Sequence, residues 1–142
     1  MSKDFPFIGS ARDAAEREPP TFKEYAWDFG QDCFRRDADG RHILLTGNDA
    51  IKVWIYKALQ TERFAYLAYT WQYGIELKPF VGKVMGVKER YAELKRVITE
   101  CLMVNPYIKS IDSYTFVPEN RGERVHVRIT LTTIYGEVIV DV

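Results

Sequence analysis

"RVHVRITLTTIYGEVIVDV", residues 124 to 142, is the stretch on which the fold turns. Val125, Val127, Ile129 and Leu131 alternate with His126, Arg128, Thr130 and Thr132, and Val138, Val140 and Val142 then alternate with Ile139 and Asp141. A period of two belongs to a strand whose side chains point in turn to a core and to water. Tyr135-Gly136 between the two runs predicts a turn or bulge, and "PENRGE" at 118–123 predicts a turn before them, so the C-terminal third is expected to be an antiparallel sheet. No further strand follows the last run in this sequence. Val138, Ile139, Val140, Asp141 and Val142 are therefore expected to form an exposed edge strand, with backbone donors and acceptors open to another chain.

Upstream of the sheet the period lengthens to about 3.6. In "VKERYAELKRVITECLMVN" (87–105), Tyr91, Leu94, Ile98, Cys101 and Leu102 share one face, while Lys88, Glu89, Lys95, Arg96 and Glu100 cover the other. Pro106 stops this helix, because the residue before a proline is pushed out of the α region. In "NDAIKVWIYKALQ" (48–60), Ile51, Trp54, Ile55, Ala58 and Leu59 fall three or four apart and predict another amphipathic helix, with Asn48 or Asp49 accepting from its first free amides. Gly74, Pro79, Gly82 and Gly86 exclude a long regular element between residues 72 and 86.

Nearer the N-terminus, "TFKEYAWDF" (21–29) and "CFRRDADGRHILLT" (33–46) predict short strands, with Asp39-Gly40 as the hairpin turn. Residues 1–20 end in "REPP", are mostly polar, and are expected to be a flexible arm. The expected fold is a small single α+β domain over 21–142: an N-terminal β-hairpin, two amphipathic helices and the C-terminal sheet.

Twenty basic residues cancel twenty acidic ones, so no overall field draws in nucleic acid or an anionic membrane. The aromatic fraction of 14% is high, and extra aromatic surface often serves contact. Cys33 and Cys101 are expected to stay reduced thiols. Neither a signal peptide nor a run long enough to span a bilayer is visible.

Motifs that carry chemistry are few in this sequence. His42 and His126 have no neighbours at zinc-site spacing and are expected to be solvated or hydrogen-bonded. "GKVMG" (82–86) lacks both the earlier glycine and the hydroxyl residue of a phosphate loop, and no Gly-x-Ser-x-Gly elbow exists. Asp28, Glu62 and Glu76 lie near aromatic residues, and would serve a cell-wall glycoside hydrolase only if two of them were positioned as an acid and its partner. A ring-stacking surface for single strands would need a basic groove, and Arg121 and Arg124 read better as a solvated turn. No catalytic residue, metal or cofactor is expected. "TERFAYLAYTWQYGIEL" (61–77) is dense in rings, and its tyrosines at 66, 69 and 73 fit either core filling or a contact surface.

"ILLTGNDAIKVWIYKALQTERFAYLAYTWQYGIEL" (43–77) resembles the baseplate wedge, or sheath-initiator, family of contractile phage tails and related injection machines, most closely its XkdS-like branch. Thr46-Gly47, Ala50-Ile51, Leu59, Thr61, Glu62-Arg63, Tyr73-Gly74 and Leu77 occupy the family's pattern. Its second landmark, a Glu-Pro-Arg-Ile motif after a helix, corresponds to Asn105-Pro106-Tyr107-Ile108, where proline and isoleucine match and the charged positions do not. The resemblance covers about residues 21–142 and is silent on the arm. It implies a structural protein, not an enzyme, present in six copies around the tail tube of a phage, defective prophage or bacteriocin particle. It would be assembled in the bacterial cytoplasm and would join baseplate wedge proteins to the first ring of tail sheath protein, with tube and hub proteins as neighbours. Glu62, Arg63, Tyr73, Gly74, Asn105, Pro106 and Tyr107 would then face the wedge, and residues 138–142 would accept sheath strands.

Overall fold

The computed structural model describes residues 18–65, 68–70, 72–80, 83–119 and 124–142. The arm up to residue 17, Tyr66, Trp71, Gly82 and the turn at 120–123 lie outside the described residues.

The C-terminal sheet has three antiparallel strands in the order β5-β6-β7: Ile108–Glu119, Arg124–Thr133 and Gly136–Asp141. Alternation along β6 is as the sequence predicts: Val127, Ile129 and Leu131 are buried, while His126 and Arg128 are exposed. The turn at Ile134-Tyr135 closes β6 on β7, and Gly136 at φ 114 takes the backbone into the region that suits glycine.

Helix α1 (Gly47–Gln60) lies against β7 and helix α2 (Val87–Met103) against β5, so both cover one face of the sheet. Ile51, Ile55 and Ala58 of α1 meet Val97, Ile98, Cys101 and Leu102 of α2 in one core with Val127, Ile129, Leu131, Val138 and Val140. Burial pushes the Cys101 thiol up to about 12, because the charged thiolate would lose its water. Tyr91 stacks flat on Phe116 at 4.8 Å, and the Tyr114 hydroxyl meets the Thr99 hydroxyl at 2.6 Å, which ties α2 to β5.

The second face of α1 is also covered. β1 (Lys23–Tyr25) pairs antiparallel with β4 (Leu44–Thr46), and β2 (Trp27–Asp28) pairs with β3 (Cys33–Phe34). The expected hairpin is thus a ribbon in two short pieces, with Arg36 bridging His42 around the predicted turn and Gly40 at φ 77. Lys57 clamps this ribbon to α1: its ammonium lies 5.1 Å from the Trp27 ring centre, 4.9 Å from that of Phe34, and 3.2 Å from a Glu24 oxygen.

One local expectation is corrected. Neither Asn48 nor Asp49 caps α1; Thr46 is the N-cap residue, without a side-chain cap bond. Asn48 instead accepts a hydrogen bond from the Thr133 hydroxyl, which itself accepts from the Tyr135 amide at 3.1 Å. The start of α1 is thereby pinned to the β6–β7 turn, a partner 85 residues away that no local pattern can reveal.

Candidate docking surfaces

Two surfaces emerge, one at the edge of the sheet and one at a corner between the helix ends. Val127 and Val142 exchange both backbone hydrogen bonds, at 2.7 and 3.0 Å. Antiparallel ladders alternate, so Val140 and Val138 also bond inward to their partners Ile129 and Leu131, while the amides and carbonyls of Glu137, Ile139 and Asp141 point away from β6. No strand pairs with that outer side among the described residues. The predicted edge residues therefore divide in two: Val138 and Val140 fill the core, and Ile139 and Asp141 stand on the exposed face.

The sheet's other edge is defended. β5 carries two register shifts, between Ile108 and Ser110 and between Ile111 and Ser113, and ends at Pro118-Glu119. Bulges, charges and proline all blunt an edge against further pairing. β7 is paired without a register break from Gly136 to Asp141, so it is the better template.

The corner begins where α1 ends. Thr61 donates through its hydroxyl to the Lys57 carbonyl at 2.7 Å, and Glu62 then forms a parallel bridge with Ile75. Arg63 donates its amide to the Ile75 carbonyl at 2.9 Å, while Ile75 donates to Thr61 at 2.9 Å. Gly74 allows this approach: at φ 103, a Cβ built there would stand 2.6 Å from the Thr61 carbonyl oxygen. The Glu62 carboxylate accepts from the amides of Leu77 at 3.4 Å and Lys78 at 3.2 Å. Its observed work is thus to latch the 62–78 loop.

Asn105 is likewise turned inward. It is buried, and its side-chain oxygen accepts from the Tyr107 amide at 2.9 Å, shaping the turn from α2 into β5. Pro106 beside it is exposed, as are Met103 and Val104. A groove of about 270 Å³ joins this turn to the aromatic loop, with Trp54, Tyr73, Val104, Pro106 and Tyr107 among its walls. Two groups predicted separately, at 73–74 and 105–107, are thus brought together, and Trp54 is a groove residue that the helical pattern had assigned to the core.

Among the described residues, the rings of 61–77 fall into two groups. Tyr73 packs on the core and meets Trp54 at 6.0 Å and Tyr69 at 4.6 Å, and burial pushes its phenol up to about 12. Phe64 and Tyr69 are exposed, and Phe64, at φ 67, has the Arg63 guanidinium 4.8 Å from its ring centre. The loop is irregular, not helical, where it is described.

Two of the three carboxylates considered for hydrolysis have backbone work. Asp28 accepts from the amides of Gly30 and Gln31, both at 2.9 Å, and Glu62 holds the loop described above. Both histidines have partners: His126 sits 2.9 Å from Glu119, and His42 packs against the rings of Tyr25 and Phe34. Among the described residues, no helix is long and apolar enough to cross a membrane.

Comparison with known proteins follows the same lines. Residues 23–136 match the profile of the family described as contractile injection system sheath initiator. The chain is also 30% identical over 99 residues to the phage-like element PBSX protein XkdS of Bacillus subtilis strain 168, an alignment that covers 69% of each.

Proposed function

The chain belongs to the contractile injection system sheath-initiator family, a structural component of phage-type tails, and on that premise we propose how it joins its neighbours. β7 accepts an extended segment of the tail sheath protein as a fourth strand, and this seeds the first sheath ring. The observation that carries the reading is the outward-pointing backbone of Glu137, Ile139 and Asp141 on a strand without a register break. Each added hydrogen bond contributes about 0.5–1.5 kcal/mol net, so even a short strand yields a usable interaction before any side chain is counted.

The groove between Tyr73 and Pro106-Tyr107 is the surface that docks on baseplate wedge proteins, with Arg63 at the neighbouring turn. Its support is the exposed apolar cluster of Met103, Val104 and Pro106 next to aromatic walls, the composition of an interface core. Glu62, Gly74 and Asn105 act one step behind it, by shaping the loop and turn that present these side chains. In this reading six copies surround the tail tube at the baseplate, assembled in the cytoplasm of the host bacterium, where tube and hub proteins are further neighbours.

Ile139→Pro tests strand addition. Proline lacks the amide donor, and it is tolerated on an edge strand where that amide faces outward. Particles carrying this variant should show tubes and baseplates without polymerised sheath by electron microscopy. Normal sheath on a folded Ile139→Pro protein would reject the proposal.

A further inference from the structure

Beyond the open side of β7 lies a cavity of about 180 Å³, walled by Phe29, Lys52, Tyr56, Ile139, Val140 and Asp141. Its walls come from three elements: the turn between β2 and β3, two α1 residues one helical turn apart, and β7 itself. The Phe29 ring is half exposed and meets Tyr56 edge-on at 4.7 Å, while the Tyr56 hydroxyl reaches Asp32 at 3.4 Å. Lys52 brings a positive charge to this side and Asp32, beside Tyr56, a negative one, while the Asp141 carboxylate is turned to the opposite face and paired with Arg128. The two nearby charges oppose, so no net field draws a charged side chain inward.

A strand laid on β7 would run about 4.8 Å beyond it, with every second side chain turned towards the helical layer. The side chain opposite Ile139 to Asp141 then falls on the cavity. We propose that this cavity is a register pocket, which takes one apolar side chain, aliphatic or aromatic, from the extended sheath segment added at β7. The inference rests on strand addition as proposed above. The occupant follows from continuity, because the cavity lies on the path that any strand paired with Ile139 must take. Backbone pairing alone tolerates a slip of two residues, since such a slip keeps the same faces inward and outward. A filled pocket beside Phe29 and Tyr56 selects one register, and so fixes the height at which the first sheath ring starts.

The test uses full-length protein and the sheath protein of the same particle. A benzophenone side chain installed at position 29 should crosslink to a single apolar residue of the sheath segment, mapped by mass spectrometry. Phe29→Asp should weaken sheath capture about tenfold or more with an unchanged melting curve, since filled apolar pockets dominate interface energies. Crosslinks scattered over several sheath residues, or landing on residues 1–17 or a second copy of this chain, would overturn the pocket. So would full capture by Phe29→Asp. If Ile139→Pro abolishes capture while Phe29→Asp does not, strand addition stands and the register pocket falls; if both capture normally, both fall.

Discussion

Arg128 and Asp141 face each other across the β6–β7 ladder, with the guanidinium donating to the two carboxylate oxygens at 2.7 and 3.3 Å. The pair sits on the exposed face and holds an outward-facing residue of the edge strand in a fixed orientation. Its hydrogen bonds from Arg128 hold the Asp141 carboxyl below its ordinary range. In the acid range the unfolded chain therefore binds the proton first, and stability rises with pH there. The contribution is complete above the unfolded carboxylate value of about 3.9, and it is lost as pH falls through the lower folded value. Urea midpoints of the parent and Asp141→Asn proteins should differ slightly at pH 7 and converge as the pH falls through the carboxylate range. Added salt should shrink the neutral-pH difference, because both groups are in water.

Gly74→Ala should destabilise the fold by about 1–3 kcal/mol, because the left-handed backbone resists a side chain. The new Cβ would also press on the Thr61 carbonyl, which is backbone and cannot swing away. Denaturant unfolding measures the cost. The same variant should lose wedge binding more than sheath capture, since it disturbs the 62–78 loop and leaves β7 in place.

Lys57→Ala should cost about 1–2 kcal/mol, the scale of a partly desolvated cation over aromatic faces. The loss should come from detachment of the β2–β3 ribbon and not from core unfolding. Tryptophan fluorescence tests this, since Trp27 would become more exposed before the main transition.

Thiol titration offers a quick check of the core. Cys33 is exposed, whereas Cys101 is buried and its thiol is pushed up to about 12. At pH 8 an aromatic disulfide reagent should react promptly with Cys33 and with Cys101 only on the timescale of unfolding. Prompt reaction of both in native buffer would contradict the packing of α2 on the sheet.

The elements were legible in the sequence wherever one face met one core. The alternation at Val125 to Leu131 and the stripe at Tyr91 to Leu102 each report a single buried side, and both elements form where those patterns run. Patterning failed where an element has two buried sides. Val53 and Ala50 fall outside the predicted stripe of α1 yet are buried, because the N-terminal ribbon covers them, while Trp54 inside the stripe is only half-buried beside the groove. For the candidate contact residues, the sequence carries no sign of what each side chain does within the fold. Glu62 and Asn105 were singled out as contact residues, and their polar atoms turn inward to backbone amides because a sharp loop and a helix-to-strand turn must satisfy their donors locally. Phe29 and Tyr56 carried no sequence signal, since their meeting depends on how the ribbon lies across α1.

Hydrogen exchange at β7, with and without bound sheath protein, tests the central claim most directly. The amides of Glu137, Ile139 and Asp141 point away from β6 and should exchange quickly in the isolated protein, while those of Val138 and Val140 are already protected. Sheath binding should slow the three outward amides by orders of magnitude and leave the inward pair little changed. Sheath protein that binds firmly while Glu137, Ile139 and Asp141 keep exchanging at their free rates would contradict the account.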